Sequence, residues 1–567
     1  MRELASFLAL VTAACSPALR PPGDDGDDDP GCVEGAVQCG GLTVQTCVGG
    51  VFVDTETCAT GCTNTIGCTA CSPGTATCDG DVSSACADDG SGYIDTACDP
   101  VQGTSCDAGT GRCTGACAPL TLGASYIGCD YYPTIIGNTV GEAFDYAVAI
   151  ANTTSTDATV TIEGGALASP LVVAVGANQV RVQVLPWHDA LKLCATQKTD
   201  GCQMTGVPPA VLAPRGAYHL RSNQPVTVYQ FNALQYSTDG VTFSFSNDAS
   251  LLVPTTAWRG DYVAAAWRAQ ALYPSELAVT AAHDGTQVTI TTRASTLPGG
   301  GAPGFQRGVP QTITLDAGDV LEITSTAGDL TGSRVTADKA VQVMSGHFCA
   351  QVPDPVNSCD HLEESLFPIA TLGTHYIVNA PAVVTIPSGK VEVVRVIATQ
   401  PGTTLSYDPP QPGAPTAIAA AGDFVELASS AASFQITASA KVLVVQYMEG
   451  EQAGGNFGDP AMALAVPIEQ YRTSYLFHAP LSYQANYVDV TAPLGAGVVL
   501  DGTPLAFQPI GGTGYGLARV RELAEGPNGD GNHVIVGDHP FGISVYGYGQ
   551  YTSYWYPGGL DLVPIIR

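Results

Sequence analysis

The sequence predicts an all-β protein, and three observations predict it. Of the 567 residues, 65 are glycine and 39 proline, while only 13% are charged; residues that turn a chain are abundant and those that coat exposed helices are scarce. Beyond an apolar run at the N-terminus no segment sustains a helical period. Short alternating pieces recur instead, at 144–150 (FDYAVAI), 159–162, 179–184, 277–280, 287–290 and 390–397 (KVEVVRVI), divided by turn signals such as Asp284-Gly285 and Gln400-Pro-Gly-Thr403. Finally, one phrase occurs four times: a proline followed seven or eight positions later by a tyrosine that opens an apolar stretch. The pairs are Pro119 with Tyr126, Pro254 with Tyr262, Pro368 with Tyr376, and Pro467 with Tyr475. Each is closed by an alternating piece, at 225–229, 340–344, 441–445 and 540–544. Such self-similarity marks one duplicated unit.

Taken in order, the first element is a signal. The apolar run 4–14 is shorter than the roughly 20 residues of a membrane-spanning helix and suits the core of a signal peptide. It ends in Thr-Ala-Ala-Cys15, which resembles a bacterial lipobox, so residues 1–15 are read as a signal with Cys15 as the lipidated first residue of an exported envelope or surface lipoprotein. An acidic linker, 16–31, follows. Its Pro21-Pro22 and its aspartates at 24, 25 and 27–29 leave nothing to bury, so it is expected to stay solvated as a spacer.

Cysteine usage agrees with export. Setting Cys15 aside leaves 18 of the 19 cysteines, an even number. Two modules, 32–68 and 71–113, each hold six, with 6, 7 and 10 intervening residues at the start of the first and 6, 7 and 11 at the start of the second. Small domains of this kind replace a core with disulfides; spacing does not set the connectivity. Cys117 is left over, and Cys129 is its expected partner, fastening the modules to the region 118–567. There the expectation is four tandem repeats, at about 119–233, 254–348, 368–448 and 467–556. Each has about 100 residues, the size of a β-sandwich, with a β-propeller as the alternative. Cys194 and Cys202 form a short-range pair, as do Cys349 and Cys359.

The run Gly346-His-Phe-Cys349 to Cys359-Asp-His-Leu-Glu-Glu-Ser-Leu-Phe-Pro368, with Tyr273-Pro-Ser-Glu-Leu277 and the alternating strands, resembles the N-terminal domain family of IgGFc-binding proteins. The resemblance runs through roughly 119–567. It implies an extracellular binding module without catalytic residues, and it implies a disulfide between Cys349 and Cys359. His347 and His361 flank that pair in a pattern that zinc would accept. The oxidising compartment places the disulfide above the metal, so no metal and no cofactor is expected.

Charge excludes a class of partner. With 21 basic against 52 acidic residues the net charge is -31, and no basic stripe interleaved with aromatics occurs, so nucleic acid is repelled. Membrane contact is expected only through the lipid. No GxSxG, HExxH or phosphate-binding glycine loop is present. His188 beside Asp189 would lie on the opposite face of an extended strand, and Glu363-Glu364 reads as a solvated edge. The aromatic terminus is more suggestive: Tyr548, Tyr551, Tyr554 and Trp555 are the candidate ligand-binding residues. Recognition is otherwise expected where the repeats differ, in the insertion 185–214, the glycine-rich loop 297–308 and the loop Cys349–Cys359. The function read from these features is a non-enzymatic surface protein that binds an extracellular protein or matrix partner. A carbohydrate-binding protein is the alternative, with an extracellular hydrolase behind it.

Overall fold

The computed structural model describes residues 31–199, 201–356, 358–383, 390–453, 457–521 and 523–565; Cys15, the signal and the acidic linker up to 30 lie outside them. The described chain is all-β and separates into two compact units, one reaching to Thr96 with Ala108–Arg112 added, the other made of Ala97–Asp107 and Cys113–Arg567.

The smaller unit is stapled. Its strands Val37–Gly40, Thr43–Val48 and Val51–Thr57 form a three-stranded sheet. Disulfides join Cys32 to Cys47, Cys39 to Cys62, Cys58 to Cys68 and Cys71 to Cys86. The strand Val51–Thr57 carries no buried residue, which is why covalent bonds stand in for a core here.

In the larger unit the sheets curl about long strands. Tyr218–Asn232 has 15 residues, Arg334–Ala350 has 17 and Asn532–Gly549 has 18. Each bends and serves two half-sheets. The first half of Tyr218–Asn232 pairs with Gly128–Tyr131 and Ala158–Gly164, the second with Tyr146–Asn152 and Asp248–Leu251. The same arrangement surrounds Arg334–Ala350, with Arg259–Val263 and Thr286–Thr291 on the first half and Ser275–Ala281 and Asp360–Ser365 on the second. About Asn532–Gly549 the corresponding strands are Arg472–His478, Val498–Leu500, Ala485–Pro493 and Thr552–Pro557. A fourth instance is split: Ser433–Ala438 pairs with His375–Asn379 and Thr403–Asp408, while Val442–Met448 pairs with Glu392–Ala398 and Met462–Leu464. Pro225 and Pro540 lie within long strands where pairing changes partners, the place where a residue without an N–H is tolerated.

Alternation accounts for the outer strands. Ala158, Val160 and Ile162 are buried and Thr159 is exposed, the period-two pattern of a half-covered strand. Tyr146–Asn152, Ser275–Ala281 and Glu392–Ala398 are buried throughout, because both of their faces are packed.

Tyrosines lock the curl, although not all of the expected ones. The Tyr262 hydroxyl donates to the Val341 carbonyl at 2.7 Å and accepts from the Arg259 N–H at 3.2 Å. Tyr376 repeats this with Val442 at 2.6 Å and Gly373 at 3.0 Å, and Tyr475 with Phe541 and with Arg472 at 3.0 Å. In the first sheet the residue bonded this way is Tyr131, which donates to Val226 at 2.6 Å. Tyr126 instead packs 6.3 Å from Tyr475 and receives Arg472 over its ring at 5.4 Å. The bonded tyrosine is the one on the short strand paired with the long one: Tyr131 lies on Gly128–Tyr131 as Tyr262 lies on Arg259–Val263, whereas Tyr126 precedes that strand.

Candidate functional site

Buried carboxylates hold the fold together. Asp248 accepts backbone N–H groups from Ala249 at 2.9 Å, Glu363 at 3.2 Å, Met462 at 3.0 Å and Trp555 at 3.1 Å. Asp360 accepts from Asn247 at 2.6 Å and Ser553 at 3.1 Å. Glu364 accepts from the Leu464 N–H at 3.2 Å, and Glu363 from the side chains of Gln230 at 3.0 Å and Asn232 at 3.1 Å. Glu363 and Glu364 are fully buried, not a solvated edge: they sit on Asp360–Ser365, of which every residue is buried. Burial holds Asp248, Asp360 and Glu364 above the usual carboxylate range.

The crosslinked loop is closed chemistry as well. Cys349 and Cys359 are bonded, as are Cys117 with Cys129 and Cys194 with Cys202. His347 accepts the Cys349 N–H at 3.1 Å through Nδ1, and burial pushes its pKa down to about 3. His361 lies buried with Nε2 3.1 Å from Asn232 and 3.5 Å from Glu363. Among the described residues no group of three His, Cys, Asp or Glu is spaced to hold a metal ion.

The aromatic terminus divides. Tyr548, Tyr554 and Trp555 are at most 1% exposed, so they cannot present a platform to a ligand. They face inward because Asn532–Gly549 and Thr552–Pro557 pair with each other and are covered on their packed face: Tyr546, Tyr548 and Trp555 share a core cluster. Tyr551 alone is half-exposed. It stands at the tip of that hairpin with φ 68°, 5.3 Å from Phe245, itself at φ 54° and 44% exposed. Phe243 completes the cluster. Two bulky aromatics in left-handed backbone are costly, and their rings are inclined at 40° to each other and at 61° and 81° to Phe243. Phe243 and Phe245 escaped the sequence reading; their alternation in a loop after Tyr236 was the available signal.

An apolar opening lies where the segment 185–214 meets the loop 297–308. Segment 208–213 pairs with the glycine-rich loop: Leu212 N–H donates to Gly300 at 3.0 Å, Ala210 N–H to Leu297 at 3.4 Å, and the Thr324 hydroxyl to the Pro208 carbonyl at 2.7 Å. Gly300 has φ 50°, and a Cβ there would fall 2.3 Å from Val211 Cγ2, so only glycine permits this approach. The Cys194–Cys202 bridge and the pairing of Thr196–Gln197 with Cys202–Gln203 stiffen the other wall. Leu193, Met204, Val207, Pro208, Pro209 and Val211 line a crevice of about 320 Å³, with Asp189 at its margin. Nearby, Lys192 is buried over the Trp187 ring at 4.1 Å, and desolvation pushes its pKa down to about 8. The crevice is apolar, rigid on one side through a disulfide, and open.

An all-β protein whose 18 described cysteines are all disulfide-bonded belongs to an oxidising compartment; among the described residues no helix is long and apolar enough to cross a membrane. Comparison with known proteins defines it further. The family described as IgGFc binding protein matches residues 248–547, more than half of the chain, and the chain belongs to that family. The human protein called IgGFc-binding protein is 28% identical over 288 residues, a stretch that covers 49% of this chain and 5% of the human one.

Proposed function

We propose that this chain is a non-enzymatic extracellular binding module whose ligand is a protein, contacted at the crevice between 185–214 and 297–308. One observation carries the reading: the segment 185–214, held by backbone hydrogen bonds against the glycine-rich loop at Leu297 and Gly300, forms an apolar opening that Gly300 also lines, and loops on a β scaffold are where recognition is built. Family membership supports a protein ligand, since the human relative is named for binding one. A sugar platform is disfavoured because exposed Phe245 and half-buried Phe243 and Tyr551 have rings tilted against each other, which offers no flat face for stacking. We further place the protein at the cell envelope as an adhesion or recognition lipoprotein, tethered through Cys15 and spaced by the acidic linker.

The test is affinity capture from envelope and spent medium with the folded chain, followed by titration of the captured protein. Val211→Glu places a charge in the crevice and is expected to weaken binding by at least about 10-fold. Undiminished binding by that variant removes the crevice from the reading, and enrichment of one polysaccharide class on a glycan array, with no protein captured, would replace a protein ligand by a glycan.

A further inference from the structure

We propose a second site, on the opposite kind of chemistry: the edge formed by Ser433–Ala438, Gln508–Pro509 and Tyr515–Val520 binds a single carboxylate carried on a protein partner. This inference rests on the protein-ligand reading above. Ser433, Gln508, Leu517, Arg519 and Arg521 line an opening of about 390 Å³. Leu517 and Arg519 alternate along Tyr515–Val520 and so share one face, Arg521 just beyond the strand lines the same opening, and Gln508 pairs directly opposite Leu517. Two arginines thus line one opening in a chain that has 21 basic residues against 52 acidic ones.

The two arginines play different parts. Arg519 is anchored: it donates to the Ala380 carbonyl and lies 3.4 Å from the buried carboxylate of Asp489, which also accepts the Tyr546 hydroxyl at 3.0 Å. Asp489 feels both guanidinium groups and offsets one of their two positive charges, which leaves a net positive charge at the opening, where Arg521 is exposed. With the Gln508 carboxamide and the Ser433 hydroxyl beside it, the opening presents N–H and O–H donors around a cation, the donor set that recognises an oxyanion. Leu517 with Ala431 and Ala506 gives an apolar floor for the methylenes of an acidic side chain. A polyanion is disfavoured, because the net charge of -31 repels an extended negative chain while tolerating one inserted charge.

The probes are N-acetyl-glutamate amide and its uncharged isostere N-acetyl-glutamine amide, titrated into the full chain and followed by NMR or calorimetry. The glutamate compound is expected to bind about 10-fold more tightly than the isostere, to weaken with added salt, and to lose that advantage in Arg521→Glu. Arg519 is left intact, since its removal would strand Asp489; Gln508→Ala provides the second variant, with an expected loss of about 3-fold. Equal binding of the two compounds, or indifference to Arg521→Glu, overturns the site. Tighter binding of glucuronic acid or chondroitin sulfate than of the glutamate compound overturns the protein source in favour of a glycan. A captured protein whose affinity falls with Val211→Glu but not with Arg521→Glu leaves the proposed function standing and removes this site. Carboxylate binding with no protein captured does the reverse.

Discussion

Asp248 accepts the backbone N–H of Met462 at 3.0 Å across 214 residues of chain. The same carboxylate holds Glu363 and Trp555, so one side chain on Asp248–Leu251 ties three other strands, each belonging to a different sheet. A strand that ends a sheet normally leaves its N–H groups to be covered or paired; here a buried acid covers them.

Replacing that acid should therefore be costly out of proportion to its size. Asp248→Ala leaves several buried N–H groups without an acceptor and is expected to lower stability by about 3–5 kcal/mol, each orphaned donor costing about 1–3. Denaturant titration measures it. A loss below about 1 kcal/mol would mean that the strands hold together without the carboxylate.

The tyrosine bonds give a graded comparison. Tyr131→Phe, Tyr262→Phe and Tyr376→Phe each remove a buried hydroxyl donor from a long-strand carbonyl and are expected to cost about 1–2 kcal/mol. Tyr126→Phe should cost less, because Tyr126 makes no such bond to the long strand. Equal losses at Tyr126 and Tyr131 would contradict the assignment of Tyr131.

Stability should fall as pH rises from about 4.5 to about 8, with Glu392 as one identifiable cause. Burial pushes its pKa from 4.5 up to about 8, with the Gln446 carboxamide at 2.7 Å opposing the shift. A folded-state pKa above the unfolded one means that the contribution is complete below pH 4.5 and lost as pH rises through about 8, at about 1.4 kcal/mol per pH unit inside that window. Glu392→Gln is expected to flatten the decline, measured as urea midpoints at several pH values. An unchanged slope in the variant would assign the titration elsewhere.

Cys349→Ser with Cys359→Ser opens a loop of sequence separation 10 and is expected to cost about 2–3 kcal/mol. The wild-type chain should yield that crosslinked peptide under non-reducing digestion. Free thiols accompanied by stoichiometric zinc would reverse the assignment and return His347 and His361 to a metal.

At the N-terminus, mass spectrometry of the mature protein is expected to find Cys15 as its first, lipidated residue. Cleavage at another position with no lipid attached would remove the anchor and leave an exported, untethered protein.

Much of this fold is written in local pattern. The pieces at 159–162 and 287–290 alternate because one face is covered, and they appear as Ala158–Gly164 and Thr286–Thr291. Long-range pairing leaves weaker marks. Asp360–Ser365 carries Asp360, Glu363 and Glu364, which on sequence alone look solvent-facing; their acceptors are satisfied by residues more than 100 positions away, which no local pattern encodes. For the same reason 185–214 and 297–308 could be singled out separately as non-repeated, while their meeting at Gly300 and Val211 could not. Buried Tyr548 and Trp555 and half-exposed Tyr551 are all aromatic; they differ in that the first two lie within paired strands while Tyr551 stands at the tip between them.

The carboxylate ties also bear on how such a protein can be dissected. Because Asp248, Asp360 and Glu364 each satisfy donors on strands from other sheets, a fragment cut out at any one sheet carries away either an acid without donors or donors without an acid. Deletion libraries and domain-swapped chimaeras built on single-sheet segments should give insoluble product, whereas a fragment that retains all four curled sheets should fold. The smallest transferable piece is then the whole interlocked array, and its interior acids are the joints that forbid a smaller one.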